Sequence, residues 1–464
     1  MLVPTFVLLL EQLQYVYLFY LIIINSTTTL MTWVTIKQIL LNYFFDTQSF
    51  LYQVLKTEAY LPISIIAPAF NEQETIVTSI YSLLKLDYKE YEIIIVNDGS
   101  KDETLHRIIK HFNLHQTSLP VESKLKHKSI RNIYRSDEHH NLIVIDKENG
   151  GKSDALNAGI NLSNYPLICC VDADTILEKD ALLQGLRKFM QDRRLIAVGG
   201  AMGITNGSII REHTLVEKKL SNNVLEGFQV LEYLRGFFIG RVGWQGSNGL
   251  ILISGAFGIF KKDIVLKIGG YRHALGEDFD LLIRMRRYCY ENKIEHRVTS
   301  IAKILCWTQS PSDYTSLLKQ RNRWHRGLLE TLYHHKKLFF NPKYGVVGMV
   351  SFPYFLFIEA LGPIITFMGI LSIMILYAFE VVTPYTVIIF FLLEFVWGIL
   401  FNIFTLYLDI FSTHPYKSSW SYIKLIFLSF LEPFIYKPIL KAELFMATFN
   451  FMNTNWGEIK RKEL

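Results

Sequence analysis

Cysteine is scarce in this chain. Four occur in 464 residues (Cys169, Cys170, Cys289 and Cys306), two of them neighbours in an apolar run, which excludes a disulfide framework and predicts reduced core thiols in a domain facing the cytosol. Charge is thin as well, 19% of residues, and 48 Lys+Arg against 42 Asp+Glu leave a net +6. So mild an excess gives no reason to expect a nucleic-acid partner, although it suits basic residues facing anionic lipid. Two blocks lack charge almost entirely: residues 1–36 hold one charged side chain, Glu11, and residues 346–410 hold four acidic ones with no Lys, Arg or His. The first block also lacks the basic start and small-residue cleavage site of a signal peptide before its polar stretch at 25–29, so it is expected to remain as an uncleaved anchor.

What is present is largely apolar. Half of the chain is hydrophobic and 14% is aromatic. A bilayer core takes roughly 20 apolar helical residues, and the runs 352–379 and 385–409 each supply that on either side of Pro384. One further crossing is expected within 2–36. A stretch at 422–440 is interrupted by Glu432, Pro433, Lys437 and Pro438, which predicts an interfacial or broken helix. Lys417, Lys424, Lys460, Arg461 and Lys462 put the C-terminal end on the cytoplasmic side, with the basic middle of the chain. The expected plan is a membrane anchor at 1–36, a cytosolic domain at 60–345 and two transmembrane helices in 346–410. Residues 411–464 would add an interfacial or third C-terminal membrane segment and a basic cytosolic tail. The lipid bilayer is then the first partner, and the protein is expected to be integral to the cell or inner membrane with its catalytic domain cytoplasmic.

Between the membrane blocks, short β-branched runs alternate with helical periodicity, the sequence form of an α/β domain with a parallel sheet. Strands are predicted at 63–70, 92–96, 142–146 and 167–174, the first with a helix opening at Asn71-Glu72 and the others with helices behind them at 102–112, 153–162 and 179–190. The polar, His- and Lys-rich stretch 113–140 reads as a surface loop. Ligands in such sheets bind at the carboxyl ends of the strands, and the polar motifs of this chain cluster there.

In Val171-Asp172-Ala173-Asp174, alternation along a strand would aim both carboxylates one way. Two adjacent carboxylates repel, and a hard divalent cation such as Mg²⁺, shared with a substrate diphosphate, relieves them; the plainer reading is a polar turn or a helix cap. Asp98, in the turn Asn97-Asp98-Gly99-Ser100, is placed to accept hydrogen bonds from a base or ribose, or to make an ordinary Asx turn. Pro68, Phe70 and Glu72 end the first strand, where they would wall a base pocket or simply flank Asn71 as a cap. Lys152, in Asn149-Gly150-Gly151-Lys152-Ser153, offers a cation before a helix, a place suited to phosphate, without the spacing of a P-loop. Glu277 and Asp278 open a helix, where the dipole favours them and where one can act as a general base. Gln320, Arg323 and Trp324 share a helical face at i, i+3 and i+4, suiting a sugar ring beside a phosphate or an amphipathic helix on the membrane.

Taken in this order, between these membrane segments, the set resembles the membrane-bound processive family 2 glycosyltransferases, the group of cellulose, hyaluronan, chitin and poly-N-acetylglucosamine synthases. The resemblance covers residues 60–345 well and the flanking helices more loosely. It implies a GT-A fold, a nucleotide-sugar donor, inversion at the anomeric carbon, and Mg²⁺ or Mn²⁺ as cofactor. It assigns donor contacts to Pro68, Phe70, Glu72, Asp98, Lys152 and Asp172, and the metal to Asp174 with Asp172. Asp278 would be the base, beside Glu277, with Gln320, Arg323 and Trp324 at the diphosphate and acceptor. Ser254 and Gly255, in Ser254-Gly255-Ala256-Phe257, would join Trp324 in bordering the acceptor. Gly276 stands where many members have Thr, and regulation through a C-terminal cyclic-dinucleotide sensor is not expected within this chain. The implied activity is hexosyl transfer to a growing polysaccharide, with exopolysaccharide synthesis and secretion. A non-processive transfer of one sugar to a lipid carrier is the runner-up, ahead of a transporter or scaffold with a vestigial site. Three expected crossings are fewer than in cellulose synthases, so a complete polymer channel would be formed either by this chain alone or with an export or accessory partner protein.

Overall fold

The structure is a computed structural model and describes residues 2–44, 60–412 and 415–449; the tail residues Lys460, Arg461 and Lys462 lie outside them. The first strands are β1 (Ile63–Ala69), β2 (Tyr91–Asn97), β3 (Leu114–Thr117), β4 (Ile130–Ser136), β5 (Leu142–Lys147) and β6 (Leu167–Cys170). They are followed by β7 (Ile176–Leu177), β8 (Leu195–Ile204), β9 (Ile209–Arg211), β10 (Thr214–Glu217), β11 (Gly258–Lys261) and β12 (Arg297–Thr308). Ten of them form one sheet in the order β3-β4-β5-β2-β1-β6-β11-β8-β12-β7, while β9 and β10 make a separate hairpin. The β5-β2-β1-β6 centre is parallel, with Ile65 facing Ile93 and Cys169 in register. Ile93, Ile94, Ile95 and Val96 are all buried, as residues on both faces of a helix-covered parallel strand must be.

Two expectations need correction. The stretch 113–140 is not only a loop, because β3 and β4 extend the sheet in antiparallel fashion and Ile133 pairs with Ile145. Its polar character is that of an edge strand with one face in solvent. The strand predicted at 167–174 stops at Cys170, and residues 172–175 form a turn closed by Thr175 N–H to the Asp172 carbonyl at 3.0 Å.

Among the described residues two helices are long and apolar enough to cross a membrane, within Thr5–Leu40 and Pro384–Ser412, and the pair Val347–Ala360 and Gly362–Ala378, bent by 50°, makes a third if counted as one span. The N-terminal helix Leu2–Phe44 ties these to the sheet domain. Tyr17 stacks on Phe390 at 5.4 Å, and Thr35 Oγ1 donates to the Phe238 carbonyl at 2.8 Å. The stretch at 422–440, expected to be interfacial or broken, lies within one continuous helix, Ser419–Phe449, that carries both prolines. Its buried Glu432 is matched by the Arg235 guanidinium at 2.5 and 2.8 Å and by the Asn402 amide at 2.5 Å, so a carboxylate that interrupts the apolar pattern is a paired packing element.

Candidate active site

Three carboxyl-terminal strand ends meet at one cleft of about 2250 Å³. At the end of β2, Asp98 turns inward: its carboxylate accepts from Lys147 Nζ at 2.6 Å and from the backbone N–H groups of Gly150 and Gly151 at 3.0 and 2.7 Å. Lys147, fully buried, also reaches Asp154 at 2.5 Å. The immediate task of Asp98 is therefore to fix the 147–151 loop, rather than to hold an uncommitted carboxylate toward a base. Gly99 and Gly151 occupy the left-handed region at φ 66° and 88°, and a Cβ on Gly99 would lie 2.9 Å from the Asn149 nitrogen, so glycine is required to bring these turns together.

That loop delivers Lys152 to the centre of the cleft. Its ammonium lies 2.7 Å from Asp172 and 2.7 Å from Glu277. Burial opposes its charge, but the carboxylates of Asp172 and Glu277 outweigh burial and hold it above the usual lysine range. Asp172 and Asp174 both line the cleft from the 172–175 turn, so their common direction comes from turn geometry and not from strand alternation. Asp174 is buried and accepts from Thr308 Oγ1 at 3.3 Å, at the end of β12.

Glu277 and Asp278 begin the helix Glu277–Glu291. Asp278 accepts from the backbone N–H of Gly255 at 3.0 Å and of Phe279 at 2.8 Å. Burial, with Glu277 beside it and against the pull of Lys152, pushes its carboxyl up to about 6. A Cβ on Gly255 would come within 2.9 Å of Lys152 Nζ, so the Ser254–Gly255 segment approaches the charged cluster as only glycine permits. Asp280, two residues on, is spent on Arg272, Arg284 and His335 and does not join the cleft wall.

Gln320, Arg323 and Trp324 reach the same cleft from the helix Tyr314–His334, with Trp324 43% exposed to it. This helix meets the acidic one at two glycines: a Cβ on Gly276 would be 3.2 Å from the Gly327 carbonyl oxygen, and one on Gly327 only 2.8 Å from the Gly276 nitrogen. The glycine in place of threonine before the acid pair thus coincides with a close helix contact. Pro68, Phe70 and Glu72 line the cleft at the end of β1, with Phe70 exposed; Glu72 Oε2 accepts from Thr75 at 2.9 Å, and the helix expected at Asn71 begins only at Ile76. Beyond the acid pair the cleft continues between the apolar helices, past Asn25, Glu359, Glu394 and Trp397.

Sequence reasoning singled out each charge of the central cluster but not their pairing, and it overlooked Arg321, Glu232 and Thr308. Arg321 stood inside the Gln-Arg-Asn-Arg-Trp run, off the face chosen by spacing. Among the described residues no group of three or more His, Cys, Asp or Glu forms a metal cage. The carboxylates of Asp172 and Asp174 nonetheless fit Mg²⁺ or Mn²⁺, which accept one or two carboxylates and complete their shell with water and substrate phosphate.

The profile described as "Glycosyl transferase family 2" matches residues 64–265, and that of "Glycosyl transferase family group 2" matches residues 167–407. Relatives include the poly-beta-1,6-N-acetyl-D-glucosamine synthase of Staphylococcus epidermidis, 30% identical over 272 residues, which are 58% of this chain and 55% of that protein. The protein of the same description from Staphylococcus aureus strain COL is 29% identical over 297 residues, 62% of this chain and 61% of that one. The matched region thus spans little more than half the length of these relatives. In fold the chain is similar to the mannosyltransferase PcManGT from Pyrobaculum calidifontis, solved in complex with GDP-Man and Mn2+. The TM-score is 0.52 at 14% identity, over 92% of this chain and 98% of that one. The sheet domain has the GT-A fold.

Proposed function

Because the chain belongs to glycosyl transferase family group 2, we propose that it transfers a hexose from a UDP-sugar to a growing polysaccharide at the inner face of the membrane, with N-acetylglucosamine as the favoured sugar. The observation that carries this reading is the Lys152 bridge between Asp172 and Glu277, next to Asp278, in a cleft that Trp324 lines from the other helix and that runs on between the apolar helices. The relatives' description as synthases supports the choice of sugar.

In this reading Phe70 and the 68–72 turn wall the base, and the 149–152 loop held by Asp98 receives the ribose and phosphates. Asp174 and Asp172 hold Mg²⁺ or Mn²⁺, which when bound offsets charge on the diphosphate. Asp278 takes the proton of the acceptor hydroxyl as its oxygen bonds to the anomeric carbon, while the bond from that carbon to the diphosphate breaks and UDP leaves with the electron pair. A carboxyl poised near 6 is ionised at neutral pH yet basic enough to accept that proton. Lys152, a half-buried cation bridging Asp172 and Glu277 beside Asp278, faces the departing charge. Trp324 offers an aromatic face to the acceptor ring, and Arg323 a guanidinium to the diphosphate.

The test is UDP release by detergent-purified protein offered a panel of UDP-sugars with Mn²⁺, with product size read on a gel. Release with UDP-N-acetylglucosamine and a high-molecular-weight product is expected. A lipid-soluble single-sugar product would replace the polysaccharide reading by transfer to a lipid carrier, and release with no UDP-sugar would overturn the donor assignment.

A further inference from the structure

Arg321 engages four groups beside the proposed acceptor face, the two Glu232 oxygens, Gln320 and Trp324, and the proposed chemistry gives it no task. It is buried. Its Nε and Nη2 donate to the two oxygens of Glu232 at 3.0 and 2.9 Å, the forked geometry that a guanidinium holds most rigidly. Its Nη1 donates to Gln320 Oε1. Its flat face lies 4.2 Å from the centre of the Trp324 ring. One guanidinium therefore grips both Gln320 and Trp324. Glu232 is held in turn by Tyr436, whose hydroxyl donates to Oε2 at 2.5 Å from the helix Ser419–Phe449. Two further side-chain pairs join the same helices, Asn322 to Glu443 at 2.7 Å and His325 to Thr448 at 2.8 Å.

We propose that Arg321, locked by Glu232 and Tyr436, is a positioning residue that sets the Trp324 ring and the Gln320 amide at the acceptor site, with the C-terminal helix as its brace. The inference rests on the reading of Trp324 as an acceptor residue. The chemistry is specific to arginine. A lysine would keep the charge but lose the fork to Glu232 and the planar stacking on the indole. Glu232 and Arg321 bond to each other and engage Tyr436, Gln320 and Trp324, which lie outside the proposed donor turn, so their loss is expected in acceptor use and not in donor binding. A ring displaced by about 1 Å costs on the order of 100-fold in rate.

The experiment uses the full-length protein with UDP-N-acetylglucosamine, Mn²⁺ and a short β-1,6-linked N-acetylglucosamine oligomer, and reads the KM for each substrate, kcat, UDP affinity and the melting midpoint. Glu232→Gln and Arg321→Lys are expected to lower kcat/KM for the oligomer ten- to a hundredfold, with UDP affinity kept within twofold. Tyr436→Phe, which removes one hydroxyl, is expected to lower it about threefold in the same direction. Trp324→Ala is the reference. If it is impaired while Glu232→Gln and Arg321→Lys behave as wild type, the positioning role is overturned and the acceptor reading stands; if it behaves as wild type, the acceptor reading itself falls. Parallel losses in UDP affinity and melting midpoint across the three positioning variants would reduce Arg321 to a general fold contact and also overturn the proposal.

Discussion

Replacing Asp278 by asparagine keeps the shape of the side chain and removes its basicity. In the structure this carboxyl is pushed up to about 6, first by burial and then by Glu277, against the opposing pull of Lys152. As the base of the reaction it must be ionised, so wild-type kcat/KM should fall about tenfold for each pH unit below about 6 and level off above it. A positioned base contributes roughly 10²- to 10⁴-fold, and the variant should lose that factor at pH 7.5. Its residual rate should be flat from pH 5 to 8, so that the two enzymes converge in acid. Stability carries a second signature. The folded value lies above the unfolded one, near ~3.9, so the folded state binds this proton more tightly. That stabilisation is complete below about pH 4 and is lost as pH rises through about 6, a swing on the order of 3 kcal/mol. The asparagine variant should lack this part of the pH dependence of melting. UDP release across the pH range, with melting in the same buffers, checks both. A variant retaining more than a tenth of the wild-type rate, or keeping the limb near pH 6, would refute the assignment of the base.

Asp174→Ala should abolish the metal dependence of donor binding, and UDP titrations with and without Mn²⁺ should then coincide; a variant whose affinity still rises with Mn²⁺ would remove Asp174 from the metal. Lys152→Met takes away the cation that restrains the Asp278 carboxyl, so the acid limb of the pH–rate profile should move above pH 6, and an unmoved limb would show that Lys152 acts elsewhere. Gly327→Ala places a methyl 2.8 Å from the Gly276 nitrogen, which should cost about 1–3 kcal/mol of stability and lower turnover by separating the two helices. A fully active variant with unchanged melting would mean that the contact can relax freely.

The centre of the fold was legible because strands buried on both faces leave continuous β-branched runs: the 63–70, 92–96 and 142–146 readings lie within a residue or two of β1, β2 and β5. The edge was not legible. In β4 only Ile133 and Ser136 are buried, so its strand character resides in pairing with β5 and not in composition. The site motifs were visible as residues, yet their reasons differed. Asp172 and Asp174 were expected to share a direction through strand alternation, whereas the sheet ends at Cys170 and a turn sets them. Asp98 was visible as a carboxylate at a strand end, but its partners Lys147, Gly150 and Gly151 lie some fifty positions away. The continuity of the C-terminal helix was hidden for a related reason: Glu432 looked like an interruption, because Arg235, which pairs its charge, and Asn402, which donates to it, are 197 and 30 residues distant.

These long-range pairings divide the site mechanically. The side proposed for the donor stands on strand ends and on the Asp98–Lys147–Asp154 network, all within the sheet domain. The side proposed for the acceptor stands on the helix Tyr314–His334, which is braced through Tyr436, Glu443 and Thr448 by a helix that also pairs Glu432 with Arg235. The acidic helix and the turn before it meet the helix Tyr314–His334 and its C-terminal end through the glycine contact at Gly276 and Gly327, the bond from Leu275 N–H to Glu330 at 3.0 Å, the His335–Asp280 pair at 3.0 Å and the packing of Phe279 and Ile283 with Leu332. Buried ion pairs contribute little net stability but make the loss of either partner costly, so the Arg235–Glu432 and Arg321–Glu232 pairs are better understood as fixing where helices sit than as strengthening the fold. Under the proposed reading, donor recognition is a property of the sheet, while the angle at which an acceptor sugar meets Asp278 is set by how the apolar helices pack.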